Sequence, residues 1–492
     1  MKEKLKKYDL LIAIGIVFGL FIILSYIIPI GYYGYDESYN LSYAVGDTNP
    51  VGIVGLFKTP IYGVAIFVQY VVVFLLIGAL YAVMNKTGAY KKFVDNVVKK
   101  FNTHKLLFLI ISIITFALLA SLSGLPVVLF VLVPFFASII MLLGFDKVTA
   151  LVSTVGAILI GTMGSTYGNT LIGTQYFGLD SNNLIIAKFL LLIILTFLLI
   201  MFVKQKAKKS LESIKIEENP KKKRKNSKDE GKVQNALEIP FYTNAESNDK
   251  SSTPLIVIFI LFLVIALLCM FNWKYALNID LFSNISSTIA EFKIGGTAIF
   301  SKILGNFTVI GEWGNYEFAA FILFITIIIG WVYGVKPSEF VDTCLEGAKK
   351  MLRPAIYVAL SCMIFAIMIN SETGNISSTI SNFIMGLSKS FNVLLLSLSG
   401  IISGFFFNDY VYLTNGIYGA VNIYSAAYPI INIILQASFS FAMLILPVST
   451  ILVAGLSYLK VSYTEWIRYI WILLLELFVI IILFGLILTM II

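Results

Sequence analysis

The chain has 492 residues, 59% of them hydrophobic, and its mean hydropathy is +0.91. A soluble domain is only about 45–50% apolar, so this composition excludes an ordinary soluble protein. A single histidine and three scattered cysteines argue against Ser-His catalysis, a histidine-based metal site and a disulfide framework. The net charge of +9 does not indicate a nucleic-acid partner, because most lysines lie in loops beside apolar segments.

Apolar blocks of roughly 20 residues, long enough to cross a bilayer as helices, recur along the chain. We predict spans at 10–30, 60–84, 106–120, 122–143, 148–175, 184–203, 254–271, 318–335, 355–370, 391–407, 410–436, 437–458 and 469–492. The middle ones in each half are candidates for hairpins or broken helices. The first block follows MKEKLKKYDL but is too long for a signal peptide and lacks an A-x-A site, so we expect a retained helix. The sequence therefore predicts an all-α polytopic membrane protein.

The distribution of lysine and arginine predicts the orientation of the spans. Five segments carry 29 of the 36 basic residues, and all five can face the cytoplasm at once: the N-terminus, 85–105, 204–253, 336–353 and 457–468. The remaining loops hold few basic residues and are predicted to be external, namely 31–59, 272–316 and 371–390. The C-terminus then lies outside a multi-pass plasma-membrane protein.

Segment 204–253 contains KKKRKNSKDEGK, is polar and lacks hydrophobic periodicity. These features predict a disordered cytoplasmic linker between a first half, 1–203, and a second half, 254–492. Nucleic-acid binding by KKKRK is a weaker interpretation than a basic linker that touches anionic lipid. The only histidine, His104, is expected to be solvated in a lysine-rich loop.

An internal repeat relates 82–124 to 366–409 with an offset near 286. Both copies run from an apolar span into Asn-x-(x)-Thr-Gly, then an amphipathic stretch and a second apolar span. Each copy then meets two polar breaks about 40 residues apart: SLSGLP at 121–126 and GSTYGNT at 164–170, and GFFFNDY at 404–410 and LPVST at 446–450. The distribution of lysine and arginine places Asn85 on the cytoplasmic side of the membrane and Asn370 on the external side. Inverted repeats with broken segments at matching positions are typical of secondary transporters, although chance similarity of two apolar segments is the alternative.

The polar breaks are the candidate sites of chemistry. Glycines unwind a helix at low cost, and freed carbonyls can coordinate Na⁺ while half-helix N-termini face an anion. The first break supplies Gly161, Gly164, Gly168 and Gly173 together with Ser165, Thr166, Asn169 and Thr170. Small-residue helix packing is the alternative interpretation. In the second half, Pro447 would break its helix near Ser449 and Thr450.

Asp409 lies in FFFNDYVYLTNG between apolar runs. An intramembrane carboxylate indicates a functional site, and the alternative is a solvated turn near the interface. We expect Glu476, in the last helix, to pair with a basic residue or to stay unmatched. Three further polar residues are predicted to form interhelical hydrogen bonds rather than to bind a ligand: Gln175, Asn432 and Gln436.

Several motifs resemble the YfcC-like branch of the C4-dicarboxylate anaerobic carrier family. They are MNKTGA at 84–89, GSTYGNT at 164–170, FVDTCLEGAKKML at 340–352 followed by Pro354 and Ala355, LPVST at 446–450 and the following AGLSYLKVSYTEWIRYIW. The resemblance implies the ion transporter superfamily architecture, with two inverted repeats, each containing a re-entrant hairpin and a discontinuous helix. It also implies a homodimer and elevator-type transport coupled to Na⁺ or H⁺. Members are associated with dicarboxylates or basic amino acids.

The sequence departs from this family at ligand-bearing positions. The family usually reads Gly-Ser-Thr-Thr-Asn-Pro at the first broken helix, and here Gly164, Ser165 and Thr166 are followed by Tyr-Gly-Asn without a proline. Asn408-Asp409-Tyr410 stands where the family has Pro-Ser-Gly-Ser-Gly. SLSGLPVV lacks the usual acid, and SFSFAMLI lacks the usual Asp-Gly and Asn. The resemblance therefore does not fix the substrate or the coupling ion.

The leading hypothesis is a secondary active transporter of an amino acid, including a basic one, or of a C4-dicarboxylate. The predicted substrate-binding residues are Ser123, Gly124, Ser165, Thr166, Asn169, Thr170, Asn408, Asp409, Thr414, Asn415, Ser449 and Thr450. The predicted ion-coupling residues, for Na⁺ or H⁺, are Gly164, Gly168, Asp409 and Pro447. We expect no other cofactor and no transition metal. Asp409 would counter a cationic group or carry a proton, which favours an amino acid over a dianion.

Other function classes remain open at this stage. The chain could be an uncoupled exchanger of the same solutes or a non-transporting membrane scaffold. A membrane enzyme is disfavoured, because no Gly-x-Ser-x-Gly with histidine, paired histidine ligands or nucleotide loop is found. A cavity lined by the polar breaks would favour the transporter over the scaffold.

Overall fold

The computed structural model describes residues 8–35, 41–217, 239–242, 250–294, 297–305, 308–369 and 375–492. Among these residues, eight helical stretches are long and apolar enough to cross a bilayer. The apolar window of the Tyr410–Leu459 stretch is 89% buried, whereas that of Ile185–Lys208 is 33% buried. The prediction of an all-α polytopic membrane protein is confirmed, with the broken segments at its centre.

The elements of the first half lie in the following order. They are α1 Asp9–Ile27, a β-hairpin of β1 Gly31–Tyr35 and β2 Leu41–Val45, α2 Ile53–Ile66, α3 Val68–Lys86, α4 Ala89–Phe101, α5 Lys105–Ser123, α6 Pro126–Leu129, a 3₁₀ turn Phe130–Leu132, α7 Val133–Leu142, α8 Lys147–Leu151, a π-helical turn Val152–Gly156, α9 Ala157–Met163, α10 Asn169–Tyr176 and α11 Ile185–Glu217.

The second half follows after the linker. Its elements are α12 Thr253–Met270, α13 Trp273–Leu277, α14 Leu281–Glu291, a short antiparallel pair of β3 Lys293–Ile294 and β4 Thr297–Ala298, α15 Ile299–Leu304, α16 Asn315–Val332, α17 Pro337–Ser361, α18 Met363–Ile369, α19 Ile376–Met385, α20 Val393–Ser403, α21 Tyr410–Val421, a 3₁₀ turn Asn422–Ala427, α22 Tyr428–Ile445, α23 Thr450–Leu459 and α24 Tyr463–Ile491.

The same order of elements occurs twice. In the first half, the long helix α3 is followed by the short amphipathic helix α4, the hairpin α5–α7 and the broken helix α8–α10. In the second half, the long helix α17 is followed, after α18, by the short amphipathic helix α19, the hairpin α20–α21 and the broken helix α22–α23. We call α5–α7 the first hairpin and α20–α21 the second hairpin. The interruption at 164–168 is the first joint, and that at 446–449 is the second joint. All four predicted polar breaks interrupt helices.

The two broken helices run antiparallel to one another. Asn432 Nδ2 donates to Thr170 O at 3.0 Å, and Gln436 Nε2 donates to Thr162 O at 2.9 Å. A rising residue number in α22 thus meets a falling number in α8–α10, which is the arrangement of an inverted repeat. These bonds confirm that Asn432 and Gln436 join helices, whereas Gln175 is exposed.

The long helices α3 and α17 also pack antiparallel. Gly63 of α2 packs against Ala359, and Gly78 of α3 packs against Gly347. A Cβ on Gly347 would lie 2.6 Å from the carbonyl carbon of Gly78, so both positions need glycine for the backbones to approach this closely.

The predicted basic segments cluster at one end of the molecule. The Asp9 carboxylate accepts hydrogen bonds from Tyr463 N at 2.9 Å and Thr464 N at 2.8 Å. Asn85, Lys350 and Lys460 line one cavity. At the other end, loop 31–59 meets residues 375–390, where Gly31 N donates to Asn375 O at 3.1 Å. This grouping agrees with the charge rule, and the assignment of the basic end to the cytoplasm stays a prediction.

Three predicted spans have wrong boundaries. The predicted span 410–436 is divided by the 3₁₀ turn Asn422–Ala427, and Pro429 lies in the first turn of the next helix. The predicted span 437–458 accordingly begins in the middle of α22. The predicted span 60–84 is two helices that meet at Phe67.

The linker prediction falls largely outside the described residues. Helix α11 continues past the predicted boundary at 203 to Glu217, so the start of the linker is helical. Residues 218–238 and 243–249 lie outside the described residues, as do Asn370 and Gly374 of the second repeat copy. Ile239 and Phe241 are buried against the membrane helices.

Candidate solute site at the hairpins and joints

A cavity of about 110 Å³ lies where both hairpins and both joints meet. It is lined by Tyr70, Gly124, Leu125, Pro126, Val127, Leu159, Thr162, Asn169, Asn315, Asn408, Asp409, Tyr410, Phe439, Ser440, Met443, Ser449, Thr450 and Ile451. The lining is amide, hydroxyl and apolar, and Asp409 is its one charged side chain. A concave, mostly apolar space with a few convergent polar groups is the usual form of a small-molecule site.

The first joint is closed by hydrogen bonds to the first hairpin. Ser121 O accepts from Thr166 N at 3.1 Å and from Gly168 N at 2.9 Å. Ser121 Oγ donates to Gly164 O at 2.8 Å and accepts from Thr166 N at 3.0 Å. A single serine thereby satisfies much of the unwound backbone, which would otherwise be costly to bury.

Close backbone packing holds the first joint against the hairpin turn. Gly124 has a φ of +64°, and a Cβ there would lie 2.6 Å from Asn169 Oδ1. A Cβ on Gly168 would lie 2.7 Å from Gly124 N. Both glycines therefore let the turn and the joint touch, and this contact brings Asn169 into the cavity wall.

The second hairpin contributes the charged part of the site. The Asp409 carboxylate accepts from Val411 N at 2.9 Å and caps α21. Asn408 Nδ2 contacts Cys362 Sγ at 3.2 Å and Val448 O at 3.5 Å. Asn408 Oδ1 is buried and has no hydrogen-bond partner among the residues that the structure describes. Asp409 and Asn408 both line the cavity and contribute side-chain acceptors to the second hairpin.

Two helices begin at this cavity. Asn169 starts α10, and Thr450 starts α23, whose N-cap residue Ser449 makes no side-chain capping hydrogen bond. The first turn of a helix has N–H groups without intrahelical partners and carries a partial positive charge. The cavity thus combines helix starts that favour an anionic group with the Asp409 carboxylate, which favours a cationic one.

The structure brings six of the predicted substrate residues to the cavity: Gly124, Asn169, Asn408, Asp409, Ser449 and Thr450. Among the others, Ser165, Thr166 and Thr170 are buried and bond within the first joint, where Thr170 Oγ1 donates to Thr166 O at 2.7 Å. Ser123 Oγ donates to Leu119 O at 2.8 Å inside the hairpin helix.

The remaining predicted residues lie outside the cavity wall. Thr414 Oγ1 donates to Tyr410 O at 2.9 Å within α21, and Asn415 is exposed. Of the predicted ion-coupling residues, Gly164 packs against Leu192, and Pro447 is buried in the second joint. Their roles in substrate binding or ion coupling stay predictions.

Five polar lining residues were missed from the sequence: Tyr70 of α3, Thr162 of α9, Asn315 of α16, Tyr410 of α21 and Ser440 of α22. Thr162 stands directly before the predicted break, and Ser440 belongs to the SFSFAMLI segment that departs from the family, so both had a usable signal. Tyr70 and Asn315 come from helices outside the broken segments. Nothing in the sequence marks them as neighbours of the joints.

The residues present fit a monovalent cation. Na⁺ takes oxygen ligands, and the Asp409 carboxylate, the unpartnered Asn408 Oδ1 and the hydroxyls of Ser449 and Thr450 all line the same cavity. At the first joint, in contrast, the carbonyls of Gly164 and Thr166 already accept hydrogen bonds. The second hairpin and joint are the better place for a cation.

Comparison with known proteins assigns the chain to a family. A family model of C4-dicarboxylate anaerobic carriers matches residues 9–491. Among solved structures, the chain is similar to the YdaH transporter of Alcanivorax borkumensis, with 11% sequence identity, a TM-score of 0.40, and coverage of 97% of this chain and 98% of that chain. No curated protein matches the chain significantly. The narrower YfcC-like assignment stays a prediction. The chain belongs to the C4-dicarboxylate anaerobic carrier family.

Proposed function

We propose that this secondary carrier moves a small amino carboxylate, whose carboxylate and ammonium groups bind to different lining residues of the cavity. The observation that carries the proposal is the arrangement of two helix starts, Asp409 and the unpartnered Asn408 Oδ1 around one space of about 110 Å³.

The solute carboxylate would bind at the start of α23 and at the Asn169 amide, because at the start of α10 Thr170 N already donates to Ser165 Oγ at 3.2 Å and Leu171 N to Gly168 O at 3.0 Å. Helix N-termini bind anions through free N–H groups and the helix dipole, and broken helices of transporters use this arrangement. The hydroxyls of Ser449 and Thr450 and the amide of Asn169 add donors. No lysine or arginine is among the described residues that line the cavity, so the helix starts supply the positive potential.

The ammonium group would bind at Asp409 and Asn408 Oδ1. An unpartnered buried acceptor is costly, and a donor from the ligand removes that cost. A coupling Na⁺ or a proton on Asp409 is the competing occupant of the same oxygens. Transport of a basic amino acid would require further space for its cationic side chain beside the bound ammonium group.

A C4-dicarboxylate is the second candidate, because the family model that matches the chain bears this name. The second carboxylate of such a solute would be repelled by ionised Asp409. Binding of a dianion therefore requires that Asp409 be protonated or paired with a coupling cation. The candidate thus predicts strict ion dependence.

We further propose elevator-type movement in a homodimer. The cavity is walled on one side by the hairpins and joints and on the other by Tyr70 and Asn315, which belong to α3 and α16. A solute held by the joints would therefore lie at a boundary between two groups of helices. We place the basic end, including the N-terminus and 204–253, in the cytoplasm, and the C-terminus outside.

Uptake into proteoliposomes tests these proposals. The reconstituted chain is assayed with labelled neutral and basic amino acids and with succinate and fumarate, under Na⁺, proton and zero gradients. We expect amino-acid uptake that depends on a gradient. Uptake of dicarboxylates alone would favour the second candidate, and uptake without any gradient would favour an uncoupled exchanger. If no solute moves under any gradient, the proposed function is wrong.

A further inference from the structure

A second cavity, of about 210 Å³, lies at the basic end of the molecule and shares no residue with the solute cavity. It opens between α3, α17 and α23, so both halves of the repeat contribute to it. The linker segment Ile239–Phe241 forms a further part of its wall. We call this space the linker cavity.

The charge of the linker cavity is strongly positive. Lys350, Arg353 and Lys460 line it, and among the described residues of its wall none is acidic. The acidic residues nearby, Glu339, Asp342 and Glu346, line the neighbouring cavity of about 250 Å³, which shares Asn85 and Lys350 with the linker cavity. Three cationic side chains around one space favour an anion with more than one oxygen.

Buried polar atoms at the same cavity lack partners. Asn85 is 8% exposed and Ser457 is 6% exposed, yet neither Asn85 Oδ1 nor Ser457 Oγ has a hydrogen-bond partner among the described residues. Burying such groups without a partner is unfavourable. A ligand that both accepts from the serine hydroxyl and donates to the asparagine oxygen would satisfy both atoms.

The linker segment is fixed in the wall of this cavity. Phe241 is buried, its ring centroid lies 5.6 Å from that of Tyr81, and Lys350 Nζ lies 5.4 Å from it. Tyr242 Oη donates to Asp95 at 2.6 Å. Burial, together with this hydrogen bond, raises the pKa of Tyr242 to about 12, so the hydroxyl stays a donor at neutral pH. The cavity wall thus joins both halves and the linker.

We propose that the linker cavity binds a phosphate group that carries a hydroxyl, with Lys350, Arg353 and Lys460 around its negative charge. Free hydrogen phosphate and the phosphoglycerol headgroup of a lipid both have this chemistry. Basic pockets between membrane helices on the cytoplasmic side are suited to such headgroups. The bound group would connect α17 and α23 of the second half with Asn85 of α3 in the first half, and so stabilise one arrangement of the two halves.

The test is thermal unfolding of the full chain in an uncharged detergent. The ligands are inorganic phosphate, short-chain phosphatidylglycerol and short-chain phosphatidylcholine, with potassium chloride at equal ionic strength as the salt control. We expect a saturable rise in midpoint with phosphate, with phosphatidylglycerol or with both, and none with phosphatidylcholine or chloride. The two active arms tell a soluble anion from a lipid headgroup.

The variant Lys350→Gln/Arg353→Gln removes two exposed cations of the cavity, and we expect at least a ten-fold weaker apparent affinity. Lys99→Gln/Lys100→Gln is the matched control, because it removes the same charge from α4 outside the cavity and should leave the affinity unchanged. Either single variant supplies the test if the double variant does not fold. The proposal is overturned if neither ligand raises the midpoint, or if the rise is equal in the cavity variant and the control.

Discussion

At the first joint, the polar groups bond to one another and to the hairpin, whereas at the second joint they face the cavity. Ser121 makes hydrogen bonds to Gly164, Thr166 and Gly168. Ser449 caps nothing with its side chain, and Asn408 Oδ1 has no partner among the described residues. The two halves share an architecture, but the polar groups of the first joint are used within it, and we propose that the second joint carries most of the binding chemistry.

The largest expected effect is a loss of stability at the first joint, where the backbone is closely packed. In Gly168→Ala the new methyl would lie 2.7 Å from Gly124 N and 2.9 Å from Ser121 O, which are backbone atoms that cannot rotate away. We expect destabilisation of about 3 kcal/mol, measured as a lower midpoint of thermal unfolding and less folded protein. Gly19→Ala is the control, because no atom lies within 4 Å of its new Cβ. Equal stability of the two variants would show that the first joint is not closed.

Asp409→Asn tests the charged side of the second hairpin. Asparagine caps a helix about as well as aspartate, so the substitution removes the charge and keeps the cap of α21. We expect amino-carboxylate uptake to fall by about a hundred-fold, the value of a buried charge-assisted contact. Asp47→Asn, at an exposed residue outside the cavity, should transport normally. Unchanged uptake by Asp409→Asn at every pH would remove this carboxylate from the mechanism.

Ser121→Ala and Ser449→Ala form a matched pair across the two joints. Loss of Ser121 Oγ leaves the joint backbone unsatisfied, so we expect destabilisation of about 2 kcal/mol in thermal unfolding. Loss of Ser449 Oγ should change the unfolding midpoint little and raise the KM of uptake instead. The opposite pattern would mean that the roles assigned to the two joints are reversed.

The smallest effects separate two asparagines near the start of α21. Asn408→Ala removes an acceptor at the cavity and should weaken apparent solute affinity by about ten-fold. Asn415 is exposed and does not line the cavity, so Asn415→Ala should keep uptake within about two-fold of the unsubstituted protein. Equal losses in both variants would indicate that the solute extends along α21 rather than staying at the hairpin turn.

The fold was predictable where the chain breaks its own helices. Glycine, proline and hydroxyl residues inside apolar runs located both hairpins and both joints, because they lower the cost of unwinding. The prediction of one continuous helix at 410–436 was wrong, because it relied on a length that suits a membrane helix. Pro429 was the missed signal, since proline in the first turn of a helix marks where that helix starts.

The site was only partly predictable. A buried hydroxyl looks the same in a sequence whether it binds a ligand or the backbone beside it, so Ser165, Thr166 and Thr170 could not be told from Ser449 and Thr450. Tyr70 and Asn315 reach the cavity through the packing of helices distant in the chain. Such contacts depend on tertiary structure, and one sequence carries no local pattern for them.

The amides of Asn432 and Gln436 have a consequence for how the molecule moves. They lie one helical turn apart on α22, roughly 6 Å along its axis, and donate to Thr170 O and Thr162 O on either side of the first joint. The distance across the unwound first joint thus matches one turn of α22 in the other half. Stretching or rewinding that segment would break one of the two bonds unless α22 moved with it. Movement of the first joint in one half is therefore coupled to movement of α22 in the other half through these two hydrogen bonds.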